Sequence, residues 1–309
     1  MKIVIAGVSG FLGEVLNNYF RKQGHEVMII SRSKPKFDCA FSKWDGKTKG
    51  EWIQELDRCD VLINLAGKSV DCRYTKGNKN LIMSSRVDST AILHKALSSL
   101  KNKPKIWLNA ASATIYRHSL DKSMSEENGE IGTGFSVDVC KAWENAFFKE
   151  SHKNVRQVAL RTSIVIGNTG GALKPIKNLV NIFFGGKQGK GDQMFSWIHE
   201  LDFARAVEYI IKAEDIAGVI NIASTMPITN ETFMKTMRKY LKRPFGFPMP
   251  PWLLEVGAFF IGTETELILK SRYINPKTLS EKNFKWIYSD INQALKDLIK
   301  EKNQKTLII

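Results

Sequence analysis

The N-terminal junction constrains this chain most: an apolar run, Lys2–Ala6, passes directly into Gly7-Val8-Ser9-Gly10-Phe11-Leu12-Gly13 and then into the amphipathic run Val15–Phe20. A strand, a tight glycine turn and a helix in that order make the phosphate-binding corner of a parallel α/β sheet. Gly7 serves the backbone angles of the turn, Gly10 lets the main chain approach a pyrophosphate, and Gly13 lets the helix pack closely on the strand. The helix N-terminus then offers free N–H groups and the positive end of its dipole to an anion. Gly7, Ser9, Gly10, Phe11, Leu12 and Gly13 are therefore expected to line a dinucleotide site. A glycine-rich turn without a ligand is the other reading of the same residues.

The end of the second predicted strand bears on which dinucleotide. Glu26–Ile30 runs into Ser31-Arg32-Ser33-Lys34, where an acidic side chain about 20 residues past the glycines would take the ribose hydroxyls of NAD. No acid is present there. A hydroxyl, a guanidinium and an ammonium suit a 2′-phosphate instead, which Arg32 can hold through two parallel charge-assisted hydrogen bonds. NADP(H) is the expected cofactor, with Ser31 and Arg32 as contacts. Solvated loop charges are the alternative for Arg32 and Lys34.

The chain has 309 residues, 43% of them hydrophobic, enough for one large core or one large and one small. Its formal net charge of +15 invites a nucleic-acid or membrane-surface reading. The Lys and Arg residues are spread along the chain with no arginine-rich block and no nucleic-acid motif, so a solvated basic surface that attracts anionic ligands is expected, without nucleic-acid or membrane partners. Cys39, Cys59, Cys72 and Cys140 form neither a C-x-x-C pair nor a zinc pattern, and the five histidines look scattered, so no metal is expected. The N-terminus reads as a core strand, and the apolar run near Trp252–Ile261 is short and carries Glu255. A cytoplasmic chain without a spanning helix is expected.

Strands and helices alternate, the pattern of a parallel sheet covered on both faces. Strands are expected at 2–6, 26–30, 60–65, 105–111, 156–161 and 218–222, and helices over much of 11–23, 75–100, 137–150, 172–184, 201–213, 230–241, 251–270 and 290–300. The fold class is a Rossmann-type doubly wound sheet with a small C-terminal substrate lobe. Residues 1–166 with about 195–224 form the cofactor domain; 167–194 and 225–309 form the lobe, which the proline-dense stretch Lys242–Pro251 crosses.

Ligands of such sheets lie beyond the carboxyl ends of the strands. Asp60–Gly67 ends in small residues that let Leu65, Ala66 and Gly67 lie flat against a ribose or adenine edge. Lys105–Tyr116 ends in a hydroxyl-rich turn near the expected nicotinamide, with Ala110 at its edge. Ser112 and Tyr116 there are candidates to polarise a carbonyl or relay a proton, or are structural hydroxyls. Arg73, Gln193 and Trp197 are candidates to face a polar substrate.

These segments together resemble the extended short-chain dehydrogenase/reductase superfamily, and within it the atypical branch of nucleoside-diphosphate-sugar epimerase-like proteins. Beyond the glycine corner and Ser31-Arg32, the resemblance is carried by Asn64–Gly67, Arg73-Tyr74-Thr75, Ser85-Arg86-Val87, Cys140–Glu144, Leu160-Arg161, Gly170–Leu173, Ser196–His199 with Asp202, and Arg243-Pro244. It spans nearly the whole chain. It implies a Rossmann domain binding NADP(H) through Ser31, Arg32, Leu65, Ala66, Arg86 and the backbone around Ile164, and a small lobe closing over a substrate cleft. It leaves a homodimer open.

Active members of the superfamily usually carry Tyr-x-x-x-Lys on the helix after the hydroxyl-rich turn, the Lys lowering the Tyr pKa. Aligned on Trp143-Glu144, this chain has Ser136 and Cys140 at those places, and Lys141 lies about 100° around the helix. The resemblance implies an epimerase or oxidoreductase for a small polar, sugar-nucleotide-like substrate, and the missing pair keeps open a non-catalytic NADP(H) sensor or scaffold.

Overall fold

The computed structural model describes residues 1–8, 10–255 and 264–305. Ser9, expected at the cofactor, lies outside the described residues. Seven strands form one parallel sheet: β1 (Lys2–Ala6), β2 (Glu26–Ser31), β3 (Ala40–Lys43), β4 (Val61–Asn64), β5 (Ile106–Ser112), β6 (Arg156–Thr162) and β10 (Gly218–Ile222). Their order is β10-β6-β5-β4-β1-β2-β3, so the direction of strand succession reverses between β1 and β4. That reversal opens a crevice at the carboxyl ends.

Helices cover both faces, which is why Ile3, Val4 and Ile5 are all fully buried rather than alternately exposed. On one face α1 (Phe11–Lys22) and α6 (Glu200–Lys212) pack through Leu16, Phe20, Phe203 and Val207. On the other, α3 (Lys76–Ser99) and α4 (Phe135–Phe148) bury Leu93, Leu97 and Phe147 with Trp107 of β5. Thr75 caps α3 by accepting the Asn78 N–H at 3.3 Å.

A third apolar cluster joins α5 (Leu173–Asn181), α7 (Asn230–Tyr240) and α10 (Ile291–Lys305) around Trp197, Phe233 and Leu295. Two short pairs frame it, β7 (Ile164–Ile166) with β9 (Trp197–His199) and β8 (Met194–Phe195) with β11 (Ile228–Thr229). Asp202 at the start of α6 accepts the backbone N–H groups of Ile287 and Tyr288 and pairs with Arg205, so the C-terminal segment is tied to the sheet's own helix.

The six expected strands and the long helices are present. The sheet has a further edge strand, β3, followed by the one-turn α2 (Ile53–Leu56), both too short to show a period. The helix expected over 251–270 is helical at 251–255 and again at α8 (Glu266–Leu269); residues 256–263 lie outside the described ones. A last short helix, α9, spans Lys277–Glu281.

Candidate functional site

The glycine corner has the geometry its sequence demands. Gly7 takes φ +80°, and a Cβ there would sit 2.3 Å from Ala66 Cα, so neither the conformation nor the space admits a side chain. A Cβ at Gly13 would lie 2.0 Å from Val8 Cγ1, the close helix-on-strand packing expected. Gly10 is different: nothing lies within 4 Å of where its Cβ would be. Open space in front of an uncapped helix N-terminus is the cradle a pyrophosphate needs. Phe11 closes the far side, its ring packed beneath Gly170 and Gly171.

From this corner a cavity of about 310 Å³ extends over the ends of β1, β2 and β4. Ser31, Arg32 and Ser33 form one wall, and Ala66, Gly67 and Lys68 a second. Ser84, Ser85 and Asp88 of α3 form a third. Ser31 is buried and donates to the Ser33 carbonyl at 2.8 Å, fixing the turn that leaves the Arg32 side chain exposed.

The floor beyond β3 comes from Trp44, Asp45, Gly46 and Lys47, residues that sequence reasoning missed. Asp45 accepts from the N–H groups of Lys47 and Thr48 at 2.8 and 2.9 Å and from the Thr48 hydroxyl at 2.6 Å. Those bonds lower its pKa and commit its carboxylate to the turn. Lys47 lines the same cavity as Arg32. The Trp44 indole N–H is buried with no acceptor among the described residues. The Asp-Gly step at 45–46 was the available signal.

Arg86 lies beneath the β4 turn. It donates to the carbonyls of Lys68 and Ile82 at 3.0 and 2.9 Å and stacks 5.0 Å from the Trp143 ring, and burial lowers its pKa. It shapes the Gly67 turn, where a Cβ would stand 3.0 Å from the guanidinium. Leu65, Ala110 and Ile164 are half-buried at the carboxyl ends of β4, β5 and β6, the places expected of them.

The expected catalytic hydroxyls separate. Ser112 is half-buried at the end of β5, where its oxygen accepts the Thr114 N–H at 3.2 Å and keeps its own proton to donate. Tyr116 is 1% exposed. Its hydroxyl donates to Asn221 Oδ1 and accepts from Arg161 Nη1, both at 2.9 Å, and Arg161 in turn makes a two-pronged bridge to Glu144 at 2.6 and 2.7 Å. Burial raises the Tyr116 pKa. Its hydroxyl thus joins β5, β6 and β10 in the interior rather than facing a substrate.

The substrate candidates sort similarly. Gln193 is buried, its amide donating to the Gln188 and Ile268 carbonyls at 2.9 and 3.4 Å, and Trp197 is fully buried with its N–H on the Met226 carbonyl at 3.2 Å. Both side chains are spent on contacts inside the protein. Arg73 is half-exposed and pairs with Glu264 at 3.5 Å. His199 caps α6, its Nδ1 accepting the Leu201 N–H at 3.0 Å while Nε2 faces Asp297 at 3.2 Å.

Beside Arg73 the fold assembles a polar chain from four distant segments. The Tyr74 hydroxyl stands 3.4 Å from Ser136 Oγ, which donates to Glu266 Oε2 at 2.9 Å. Glu266 lies 4.0 Å from the Lys270 ammonium, which donates to the Thr114 carbonyl at 2.8 Å, and Arg272 Nε reaches the Thr114 hydroxyl at 3.3 Å. Burial raises the Tyr74 pKa and lowers those of Lys270 and Arg272. Cys140, one turn along α4 from Ser136, is pushed up to about 11 by burial and stays a neutral thiol. The signal for Lys270 and Arg272 was two cations set into the apolar run Leu267–Ile274.

The histidines are not all scattered. His94 Nδ1 and His152 Nε2 meet at 2.9 Å beside Glu150, while His94 Nε2 faces the carbonyls of Ala146 and Phe147 at 3.1 Å. Burial lowers both pKa values, so each ring stays neutral and one nitrogen donates to the other.

A parallel sheet with this crossover, a glycine cradle and a cavity spanning the switch point define a dinucleotide-binding protein of the short-chain dehydrogenase/reductase type. The chain belongs to the NAD dependent epimerase/dehydratase family, whose profile matches residues 3–223; residues 249–298 match a domain of unknown function, DUF1731. It is 31% identical over 312 residues to epimerase family protein YfhF of Bacillus subtilis (strain 168), covering 98% of this chain and 99% of that protein. The structure of human epimerase family protein SDR39U1 (isoform2) with NADPH superposes with a TM-score of 0.87 at 26% identity over 97% of this chain and 99% of that one. The nucleoside-diphosphate sugar epimerase from Corynebacterium glutamicum gives a TM-score of 0.77 at 26% identity, over 99% of this chain and 60% of that one.

Proposed function

We propose that this chain is an NADP(H)-dependent oxidoreductase or epimerase acting on a small polar molecule, with sugar nucleotides among the candidates. The observation that carries the cofactor choice is the cavity lining at the end of β2, where Ser31, Arg32 and Ser33 share the cavity with Lys47, and of its two acids Asp45 is consumed by its own turn while Asp88 stands on the α3 wall. Arg32 and Lys47 would hold a 2′-phosphate, and the Gly10 cradle the pyrophosphate. NADPH bound to the similar human protein agrees with that choice. Titrating NADPH and NADH into the cofactor-free protein tests it; equal affinities, or tighter NADH, refute it.

When bound, the dinucleotide supplies or takes a hydride. Ser112, with a free proton at the end of β5, orients a substrate carbonyl. The Tyr74 hydroxyl gives its proton to the oxygen as the carbon gains the hydride, and Ser136 with the solvent-facing Glu266 returns a proton to Tyr74. Lys270 and Arg272 bring positive charge to Thr114, whose N–H donates to Ser112.

A non-catalytic NADP(H) sensor is the second reading, favoured by Ser136 and Cys140 at the positions of the superfamily's Tyr and Lys. NADPH oxidation against a panel of sugar nucleotides, aldehydes and ketones, with Tyr74→Phe beside the parent, separates the two. Turnover lost in the variant supports the proton route. Tight NADPH binding with no turnover across the panel favours the sensor.

A further inference from the structure

On the C-terminal lobe, two chain segments come together to build a surface of aromatic rings. Residues 183–189 run beside 245–249: the Phe247 N–H donates to the Phe183 carbonyl at 2.7 Å, Gly186 N–H to the Phe247 carbonyl at 3.1 Å, and Met249 N–H to the Lys187 carbonyl at 2.9 Å. Glycines make the approach possible, since a Cβ at Gly186 would stand 2.4 Å from the Phe247 carbonyl oxygen. The rings then order one another. Phe183 stacks on Phe245 at 4.9 Å, Phe245 meets Phe247 edge-on at 5.5 Å, and Phe184 lies 6.3 Å from Phe247.

This aromatic ridge faces outward. Ile182 is 61% exposed, Phe245 52%, Phe247 55% and, three residues past Met249, Trp252 is 68% exposed. Phe183 takes φ +65° where α5 ends, its N–H on the Val180 carbonyl at 3.1 Å and the Phe184 N–H on the Leu179 carbonyl at 2.9 Å. The Arg243 guanidinium, 5.3 Å above its ring, helps to keep it there. Several large rings clustered and left in solvent point to a contact made through them.

Charge identifies the partner. Residues 174–190 and 235–250, the segments that carry the ridge, contain nine Lys or Arg and no Asp or Glu. Lys174, Lys187, Lys190, Lys235, Lys239 and Lys242 of these are exposed, so pairing this region with its copy would bring like charges together. Protruding aromatic rings among lysines and arginines match the headgroup level of an anionic bilayer, where rings enter the acyl boundary and cations meet phosphates. Among the described residues no helix is long and apolar enough to cross a membrane. We propose that the ridge at Phe183–Phe184 and Phe245–Phe247 docks the protein onto the surface of a lipid bilayer bearing anionic headgroups.

Co-sedimentation of the full-length protein with phosphatidylcholine vesicles, with and without phosphatidylglycerol, tests this at low and high salt. The parent is expected to pellet with the anionic vesicles only, and to be released by salt. The double variant Phe245→Ser, Phe247→Ser should lose about tenfold or more in partitioning. The variant Lys239→Asn, Lys242→Asn should lose about fivefold per lysine. Circular dichroism and the melting temperature check that the variants fold; should the aromatic pair fail there, Trp252→Ser repeats the test at an exposed position. The proposal is overturned if the parent ignores anionic vesicles, or if binding survives in the folded aromatic variants. It is likewise overturned if sedimentation velocity shows a dimer that those variants abolish and vesicles bind nothing.

Discussion

Replacing Tyr116 by Phe removes one oxygen from the interior and separates two roles that sequence alone left equal. That oxygen serves Arg161 Nη1 as acceptor and Asn221 Oδ1 as donor, each at 2.9 Å, in a residue 1% exposed. Arg161 keeps its two bonds to Glu144, and the Asn221 amide keeps its carbonyl partners at Met124 and Asn275. The loss is therefore one charge-assisted bond and one buried acceptor left unpaired. Together they cost about 2–3 kcal/mol, from roughly 1.5–3 for hydrogen bonds to charged groups and 1–3 for an orphaned buried acceptor, less what local relaxation recovers. At roughly 2–4 °C per kcal/mol for chains near this size, the melting temperature should fall by about 4–12 °C. Affinity for NADPH and any turnover should stay within about threefold, far from the roughly 10²–10⁴-fold loss that removal of a general acid brings. Thermal melts, NADPH titration and NADPH oxidation on the same preparation read all three. A variant as stable as its parent but devoid of turnover would refute the structural assignment.

The other predictions rest on neighbouring features. Glu144→Gln should destabilise by about 3–5 kcal/mol by urea unfolding, because it leaves the Arg161 charge buried without its carboxylate. Gly7→Ala should cost about 2 kcal/mol or more, whereas Gly10→Ala should leave stability unchanged and weaken NADPH about tenfold, or roughly 1.4 kcal/mol, by filling the open cradle. Arg32→Ala should raise the Kd for NADPH about tenfold to hundredfold and leave NADH unaffected. For the His94–His152 pair, lowered pKa values mean that the folded chain binds fewer protons than the unfolded one. Its contribution is complete above the ordinary histidine range near about 6.5 and is lost as pH falls below it; melting temperatures followed downward from pH 8 should show the decline, flattened in His94→Gln, His152→Gln.

The cofactor corner was legible because every requirement there is local. Strand, turn angle, close approach and helix start all fall within Lys2–Lys22, and each leaves its mark on residue type. The direction of Gln193, Trp197 and Tyr116 was not legible, since side-chain orientation there depends on partners as distant as Ile268, Met226 and Asn221. Hydroxyl-rich composition at Ser112–Tyr116 was visible; which hydroxyl turns inward was decided by Arg161 on β6. The Tyr74–Ser136–Glu266 chain is still less visible, because its members stand 62 and 130 residues apart in sequence. Strand β3 lacked the length for alternation to show, yet it delivers Trp44, Asp45 and Lys47 to the cavity.

The Tyr116 network reaches beyond its own sheet: Asn221 donates to the Asn275 carbonyl, and the extended segment at 272–275 is laced to both Met124 and Ser196. All seven sheet strands lie before residue 223, so a ribosome finishing this chain has already released the sheet's sequence while the segment that completes its polar interior is still being made. The nascent sheet must wait with Asn221 incompletely paired until Asn275 has been made. Premature termination after β10 should consequently yield a chain that chaperones and proteases see as unfinished, although every strand of its sheet is present.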